Sequence, residues 1–453
     1  MSHYAWSSFA CLTLFVLGGC FTDSVGPTDT GQTPTSGPSD TASDGVPSDD
    51  ETVGATGSAT GNTTPADTGA DDTESADTAD TETGDFCGHP QPVFAFNEPE
   101  IIDVGGTPFL MAVGDFIGQD GPDVAVANDD LLQVQILEGQ GLLGAFDMAD
   151  AIPLTVEASG VALGEFDGEP PLELLVTDRD RLLLYGTVPG DQNHLEERVG
   201  IDLLDRAWTM AVADMWGDEW PDIAINTHPM DSGVVEFLTG REGGMDVSQS
   251  SVPAGENTPR IAVADFDEDG RLDLVVPRTD SDGDLPGDYL TVLLNRSDGQ
   301  EASFESSQVP TNEAPFGIEA DDVDLDGHMD LVVSHLGGPV DGMDDELWIL
   351  LGDGTGSFGS VQTLVVGDTL GQVAVEDMDC NGTLDIVVPS AGLGQIIILS
   401  GDDTGTFSMD DSVAFEVDGL VSDLEVVDFN LDGRLDIMAS VIDQGELWYF
   451  QGD

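Results

Sequence analysis

The feature that most constrains the fold is a nine-residue segment that recurs seven times. Its copies, here called loops 1 to 7, begin at Asp115, Glu165, Asp214, Asp265, Asp322, Asp377 and Asp428, spaced 49 to 57 residues apart. An apolar run follows each copy. A repeat of this length suits one four-stranded blade of a β-propeller, whereas solenoid repeats are shorter. The sequence therefore predicts an all-β fold, a seven-bladed β-propeller over residues 87–453, preceded by a disordered N-terminal stalk.

The strands of one blade can be placed from the fourth repeat. Apolar runs at 260–264 and 272–276 flank the loop, and further β-rich runs follow at 289–294 and 304–309. The last repeat ends after residues 446–450 and lacks a fourth strand. Phe96 lies 19 residues before Asp115, as Phe358 lies 19 residues before Asp377. We therefore expect a strand from about residue 94 to 102 to complete the last blade and close the ring without an open sheet edge.

Four of the seven loops have the alternating acidic pattern of a calcium site. Asp or Asn occupies positions 1, 3 and 5, Gly occupies position 6 and Asp occupies position 9. Such oxygen ligands converge on one point and suit Ca²⁺, with solvated Asp turns as the alternative. An EF-hand would need an acidic residue at position 12 and flanking helices. Position 12 instead carries apolar strand residues, which are Val276, Val333, Val388 and Ala439.

These loops, together with lead-ins such as Ala314-Pro315-Phe316-Gly317-Ile318, resemble the FG-GAP/VCBS repeats of the integrin alpha-subunit propeller over roughly residues 94–453. The resemblance implies that side chains at positions 1, 3, 5 and 9 and the main-chain carbonyl at position 7 hold structural calcium. The implied ligands are Asp265, Asp267, Asp269, Arg271, Asp273, Asp322, Asp324, Asp326, His328, Asp330, Asp377, Asp379, Asn381, Thr383, Asp385, Asp428, Asn430, Asp432, Arg434 and Asp436.

Loops 1 to 3 depart from this pattern. Ile117 and Trp216 stand at position 3 of loops 1 and 3. Loop 2 keeps acidic residues, which are Glu165, Asp167, Glu169 and Glu173. Among these three loops we therefore expect calcium most readily in loop 2.

The charge of the chain excludes several classes of function. It has 90 acidic and 10 basic residues, a formal net charge of -80, and all ten basic residues are Arg. The absence of Lys excludes a phosphate-loop lysine and a Schiff-base lysine, and the negative charge opposes nucleic acid as a partner. Solubility and cation binding can each account for the acidity.

The N-terminus predicts export. Residues 1–19 form an apolar run too short for a lasting membrane span, and Leu17-Gly18-Gly19-Cys20 resembles the bacterial lipobox, which implies a lipid anchor on Cys20. The expected location is the bacterial cell envelope, at the outer membrane or cell surface. The segment before the apolar run lacks Lys and Arg, so an ordinary cleaved signal or an uncleaved anchor remains an alternative.

Residues 20–86 predict a disordered linker. Thr, Asp, Gly, Ser, Pro, Ala and Glu dominate this stretch, which has no periodic apolar face and would span on the order of 45 Å between membrane and propeller. In an exported protein Cys87 and Cys380 could form a disulfide, with two free thiols as the alternative.

No catalytic motif stands out, so the sequence predicts a protein that is not an enzyme. Insertions at 278–288 and 335–345 lengthen the turns between the second and third strands of two repeats, on the face opposite the Asp-rich loops. Loop variation on that face favours a binding or adhesion module for a protein or glycan ligand. A passive surface scaffold and, with less support, a polysaccharide hydrolase or lyase are the alternatives.

Overall fold

Each repeat folds into one antiparallel sheet of four strands. The computed structural model describes residues 94–452 except 119–120, 142–143, 169, 189, 228–232, 242–243, 256–257, 279–287, 298–301, 312–313 and 337–344. Within these residues the strands form seven four-stranded sheets, which confirms the predicted seven-bladed propeller. The predicted signal peptide (1–19), Cys20, the linker (20–86) and Cys87 lie outside the described residues.

The first strands in chain order are β1 (Glu100–Asp103), then blade 1 with β2 (Pro108–Gly114), β3 (Asp123–Asn128), β4 (Gln133–Gly139) and β5 (Phe146–Pro153), blade 2 with β6 (Val161–Gly164), β7 (Glu173–Thr177), β8 (Arg181–Val188) and β9 (Asp191–Asp202), and blade 3 with β10 (Ala207–Ala213), β11 (Asp222–Thr227), β12 (Val234–Arg241) and β13 (Gly244–Pro253). The remaining strands are β14 (Ala262–Ala264), β15 (Asp273–Arg278), β16 (Tyr289–Asn295) and β17 (Phe304–Pro310) in blade 4, β18 (Pro315–Asp321), β19 (Asp330–His335), β20 (Asp345–Gly352) and β21 (Phe358–Gly367) in blade 5, β22 (Ala374–Glu376), β23 (Asp385–Ser390), β24 (Gln395–Leu399) and β25 (Val413–Glu416) in blade 6, and β26 (Val421–Val427), β27 (Asp436–Val441) and β28 (Glu446–Phe450) in blade 7.

The two ends of the described chain meet in blade 7. The strand order there is β1-β28-β27-β26, so the N-terminal strand supplies the fourth strand of the last blade. Ile101 is paired with Trp448 in this antiparallel contact, and a further bridge joins Phe96 to Gly452. The predicted closing strand is confirmed, and the ring closes without leaving β28 as an open edge.

The core lies in the seams between neighbouring blades. One seam packs Val323 and Val332 of blade 5 against Val375 and Ile386 of blade 6. Because both faces of a blade are covered, the second strand of each blade is buried at every residue, as in β15 (Asp273–Arg278). The fourth strands face solvent, and β17 is mostly exposed. This explains why the second strand of each repeat reads as a continuous apolar run.

The innermost strands differ among blades at one position, three residues before each Asp-rich loop. Five blades carry Ala there, whereas blades 5 and 7 carry Glu319 and Glu425. Asp423 is fully buried and accepts the N–H of Met111 at 2.9 Å. The Arg260 side chain of blade 4, 2% exposed, packs its guanidinium 5.1 Å from the Phe316 ring centroid.

These charges meet near the propeller axis. Burial lowers the pKa of Arg260 to about 10, against the opposing effect of the charges of Asp423, Glu425 and Glu319. Burial also raises the pKa of Asp423 to about 7 and that of Glu425 well above its ordinary value. Blades 4, 5 and 7 are not all neighbours, so side chains from all three can approach one another only at the centre. Arg260 thus places a positive charge near these carboxyl groups, of which Asp423 is fully buried and Glu319 and Glu425 are half-buried.

We predict that Arg260→Met destabilises the propeller in a pH-dependent way. Met keeps an apolar contact with Phe316 but leaves the buried carboxylates without their cation, which costs on the order of 3 kcal/mol at pH 8. A carboxyl with a raised folded-state pKa contributes stability below its unfolded pKa and loses that contribution as pH rises through the folded value near 7. The penalty should therefore shrink at pH 5.

Urea unfolding at both pH values measures this difference. The control is Arg181→Met, because Arg181 is 44% exposed and its loss should change the free energy of unfolding by less than about 1 kcal/mol. An Arg260→Met penalty of the same size at pH 5 and pH 8 would contradict the role assigned to the cluster.

Candidate metal centres

The Asp-rich loops all connect the first and second strands of their blades. Loop 4 joins β14 to β15 and loop 5 joins β18 to β19, and the others occupy the equivalent place. Blades share one orientation, so the loops lie together on one face of the ring, here called the loop face. Neighbouring loops touch there, since the His328 side chain in loop 5 contacts that of Glu268 in loop 4.

The carboxylate at position 9 has the same contacts in nearly every blade. One oxygen accepts the N–H of position 2 in all seven loops, as in the 3.0 Å bond from Val323 to Asp330. In blades 1 and 3 to 7 the other oxygen accepts an N–H from the end of the third strand, as in the 2.7 Å bond from Gly352 to Asp330. These residues are almost fully buried. Position 9 therefore fastens the loop to two strands, including in loops 1 and 3, which lack a carboxylate at position 3.

The carboxylate at position 1 closes the loop itself. Asp322 accepts the N–H of Asp326 and that of Gly327, each at 2.9 Å, and loops 3, 4, 6 and 7 repeat this pair of bonds. Gly327 has a φ of 92°, which the tight turn requires at position 6.

Position 4 takes the left-handed conformation in every loop, which the sequence pattern did not reveal. Loops 1 to 3 carry glycine there, with φ between 65° and 82°. Loops 4 to 7 carry Glu268, Leu325, Cys380 and Leu431 with φ between 56° and 58°. A residue with a Cβ is strained in this region by about 1 kcal/mol, so the hydrogen bonds of the loop hold the backbone in place.

Three carboxylates come together in four of the loops. The oxygens of each group lie within 4.8 Å of one another, and the groups are Glu165, Asp167 and Glu173 in loop 2, Asp265, Asp267 and Asp269 in loop 4, Asp322, Asp324 and Asp330 in loop 5, and Asp377, Asp379 and Asp385 in loop 6. Loops 2, 5 and 6 thus combine positions 1, 3 and 9. Three close carboxylates fit a hard divalent cation, because such an ion prefers oxygen ligands and relieves their mutual repulsion.

Position 5 and position 7 have other contacts in the strong loops. Asp326 accepts the N–H of His328 at 2.9 Å, and Asn381 accepts that of Thr383 at 2.7 Å. The Thr383 hydroxyl also donates to the Gly401 carbonyl at 3.2 Å. Position 7 side chains therefore serve the surrounding loop, which leaves the main-chain carbonyl as the group that position 7 could offer a metal.

Loop 7 differs from the other strong loops. The structure places no group of three carboxylates there, although every residue of the loop is described. Asn430 replaces a carboxylate at position 3, and Asp436 accepts the Tyr449 hydroxyl at 2.7 Å in addition to backbone N–H groups. Asp428 and Asp432 keep the loop closed by the same bonds as in loops 4 to 6. Loop 2, whose group contains Glu165 and Glu173, is instead the fourth loop in which three carboxylates come together.

Loops 1 and 3 use position 3 for packing. Ile117 is 1% exposed and belongs to the hydrophobic core, whereas the Trp216 indole packs against Phe237 and donates to Thr239 at 3.2 Å. Apolar contacts thus replace the ligand at this position, in agreement with the expectation from the sequence.

Without a bound cation the position-9 carboxyls of loops 2, 5 and 6 are weaker acids than usual. Burial, together with the neighbouring carboxylates at positions 1 and 3, raises the pKa of Asp385 to about 7 and that of Asp330 to about 6. The pKa of Glu173 is raised to about 8, again chiefly by burial. Backbone N–H groups oppose these shifts. A cation in the loops would favour the ionised carboxylates.

Cys380 at position 4 of loop 6 is disulfide-bonded. Cys87 lies outside the described residues, so its pairing with Cys380 stays a prediction.

The main parts of both insertions, residues 279–287 and 337–344, also lie outside the described residues. The residues that flank them are well packed: the Arg278 guanidinium lies 4.9 Å from the Tyr289 ring centroid, and buried His335 lies 5.1 Å from that of Trp348.

A surface groove lies on the opposite face, between blades 6 and 7. It has a volume of about 460 Å³ and is lined by the turns after β23, β25 and β27. Leu393 and Leu420, 50% and 44% exposed, lie beside the carboxylates of Glu416, Asp418 and Asp443. No aromatic or basic residue belongs to the described lining of this groove. This groove was not predicted from the sequence, because its walls come from three separate turns.

Fold and loops together define a β-propeller with acidic, metal-compatible hairpins. A model of the FG-GAP-like repeat family matches residues 214–276, which extend from loop 3 through loop 4 into β15. The chain therefore contains an FG-GAP-like repeat within a seven-bladed β-propeller. No curated protein sequence matches it.

Solved structures share the fold at low sequence identity. The structure of BBS1N in complex with ARL6DN is 13% identical with a TM-score of 0.55, covering 79% of this chain and 97% of that one. Hydrazine synthase of Kuenenia stuttgartiensis is 11% identical with a TM-score of 0.54, covering 80% and 99%. A functionally unknown protein of Desulfotomaculum acetoxidans is 12% identical with a TM-score of 0.51, covering 73% and 91%. At these identities the likeness concerns the fold alone.

In the part of the chain that the structure describes, no helix has the length and hydropathy to cross a membrane.

We predict that position 9 stabilises blades even where no metal group exists. Asp222→Ala in loop 3 removes the acceptor of the Met215 and Gly240 N–H groups, which should lower the free energy of unfolding by about 3 kcal/mol. Chemical unfolding in EDTA and in calcium should give the same loss. The control is Asp218→Ala in the same loop, which is exposed and should cost less than about 1 kcal/mol. A loss that appears only with calcium would contradict a structural role for position 9.

Proposed function

We propose that this protein is a calcium-stabilised binding module, anchored to the bacterial cell envelope by lipid on Cys20, that recognises a ligand through the face opposite its Asp-rich loops. The observation that carries the proposal is the division between the faces. One face repeats the same acidic group in several blades, and the other carries a groove lined in part by the exposed Leu393 and Leu420. Repetition suits a structural ion, whereas irregular surface suits recognition.

Calcium is the cation that best fits the loop face. Each group offers carboxylate oxygens and, at position 7, a carbonyl, and none of the groups of three contains a His or Cys ligand that would favour zinc. The ion would have a structural role, because the same position-9 carboxylates fasten the loops to their strands. Binding to the folded state alone stabilises it by mass action.

Calcium should therefore raise the melting temperature. We expect a rise on the order of 5 °C between EDTA and millimolar calcium in a thermal melt. Asp324→Asn removes one of the three carboxylates of loop 5 and should reduce this rise while changing the melt in EDTA little. The matched control is Asp147→Asn, an exposed acid on β5 that belongs to none of the carboxylate groups. An identical melting temperature in EDTA and in calcium would rule out stabilisation of the fold by the ion.

A protein ligand suits the opposite face better than a glycan. Sugar rings commonly stack on aromatic side chains, and the groove between blades 6 and 7 has none in its described lining. Its two leucines and three carboxylates instead fit a polypeptide that carries apolar and cationic side chains. Leu131 and Leu204, 45% and 57% exposed, extend the apolar character of this face to other blades.

A binding array of cell-surface proteins and glycans tests this assignment. We expect a protein hit that weakens at least about tenfold when Leu393 and Leu420 are both changed to Ser. Val365→Ser is the matched control, since Val365 is 52% exposed on the outer strand β21. A hit that the leucine changes leave intact would place recognition elsewhere. No hit at all would favour a passive scaffold, and turnover of a polysaccharide on the array would make the protein an enzyme.

The envelope location rests on the N-terminal sequence. Leu17-Gly18-Gly19-Cys20 supports acylation of Cys20, and the polar residues from 21 to 86 would hold the propeller away from the membrane surface. An anchored propeller with a free opposite face suits adhesion or capture of partners outside the cell membrane.

A further inference from the structure

Loop 4 contains a cation of its own. Nη1 of Arg296 lies 2.5 Å from Oδ2 of Asp267 and 2.9 Å from Oδ2 of Asp269. Arg271 at position 7 also pairs with the Asp269 carboxylate, and its Nε donates to the Asn295 carbonyl at 2.8 Å. Two guanidinium groups therefore compensate the carboxylates that would otherwise repel one another.

The residue at this place is acidic in blades 5 and 6, whereas blade 3 carries Arg241 after Gly240. Arg296 directly follows Asn295, the third-strand residue whose N–H binds the position-9 carboxylate. The equivalent residues after Gly352 and Gly401 are Asp353 and Asp402. Both Asp side chains accept bonds within their own turns, from Thr355 and Thr404 respectively. Loops 5 and 6 thus lack the arginine that enters loop 4.

Loop 4, which Arg296 enters, groups different carboxylates from the other loops. In loops 2, 5 and 6 the grouped residues are positions 1, 3 and 9, but in loop 4 they are positions 1, 3 and 5, with Asp269 drawn toward Asp267. The Asp267 side chain is only 10% exposed, and its Oδ1 is buried without a hydrogen-bond partner among the described residues. An oxygen in that state is an acceptor still available to a ligand.

We propose that Arg296 is a tethered counter-ion that competes with calcium in loop 4, so that this loop binds calcium more weakly than loops 5 and 6. The inference rests on the proposed calcium function and concerns the regulation of the same sites. A calcium ion bound by Asp267 and Asp269 would weaken the hold of these carboxylates on the guanidinium, because the two cations repel each other and compete for the same negative charge.

Arg296 has another carboxylate that it can contact once its guanidinium has left Asp267. Its Nε lies 3.4 Å from Oε2 of Glu305 on β17, a carboxylate that is 69% exposed. The guanidinium can keep this partner while releasing Asp267. Loop 4 is consequently stabilised by arginine at low calcium and by the ion at high calcium. Because loop 4 binds calcium more weakly than loops 5 and 6, the sites on the loop face fill over a wider range of calcium concentration.

Calcium titration of the full chain by isothermal calorimetry tests the proposal. Arg296→Gln removes the competing charge and should tighten the weakest class of sites about tenfold or more, the effect of losing one charged hydrogen bond. Arg296→Asp, which copies blades 5 and 6, should act in the same direction. Arg181→Gln is the matched control, because Arg181 is 44% exposed, pairs with Glu197 and begins β8 at the end opposite the loop.

Asp267→Asn identifies the affected loop and does not depend on the stability of the Arg296 variants. It should remove the weakest class of sites and leave the tight ones, whereas Asp324→Asn in loop 5 should remove a tight site. Loss of a tight site from Asp267→Asn, or unchanged affinities in Arg296→Gln, would overturn the counter-ion while leaving calcium binding intact. Absence of calcium binding to every variant and to the unchanged chain would instead overturn the calcium function, and the counter-ion with it.

Discussion

The structure depends most on the buried carboxylate at position 9 of each Asp-rich loop. It accepts the N–H of position 2 in all seven blades and, in blades 1 and 3 to 7, a further N–H from the end of the third strand. A single side chain thereby ties the first, second and third strands together at one end of the sheet. Because these N–H groups would otherwise be buried without acceptors, the acid is needed whether or not a metal is near. This explains why loops 1 and 3 retain Asp123 and Asp222 after losing the carboxylate at position 3.

The sequence predicted the blades and the ring closure because both follow from local patterns. The spacing of the repeats, the apolar runs and the missing last strand can all be identified in the sequence. The pairing of β1 with β28 confirmed the ring closure. The absence of a carboxylate group from loop 7 follows from Asn430, whereas the grouping in loop 4 was harder to predict, since it accompanies an arginine from beyond the loop. Tyr449 binds Asp436 in loop 7 and Arg296 enters loop 4, although each lies more than ten residues beyond the end of its loop. Four loops were predicted as equals, and the structure divides them by these neighbours.

The inner strands around the propeller axis also combine a local pattern with contacts between distant residues. Alanine in five blades lets the inner strands pack closely, while Glu319 and Glu425 in the other two require Arg260 as a compensating charge. Charges from three blades cannot be assigned to one another from spacing along the chain, because they meet only when the ring is closed. Their burial raises the carboxyl pKa values and couples the stability of the propeller to pH.

These contacts also decide how calcium could affect recognition. In blade 6 the loop ligands precede and begin β23, whereas the groove residues Ala391 to Gly394 follow the same strand at its other end. A cation in loop 6 is therefore separated from a ligand in the groove by the length of a buried strand, and it cannot contact that ligand. Its influence must pass through the stability of the strand and of the bonds made by Asp385. Since position 9 holds those bonds without help from a metal, the groove should keep its shape at low calcium and lose chiefly its resistance to unfolding.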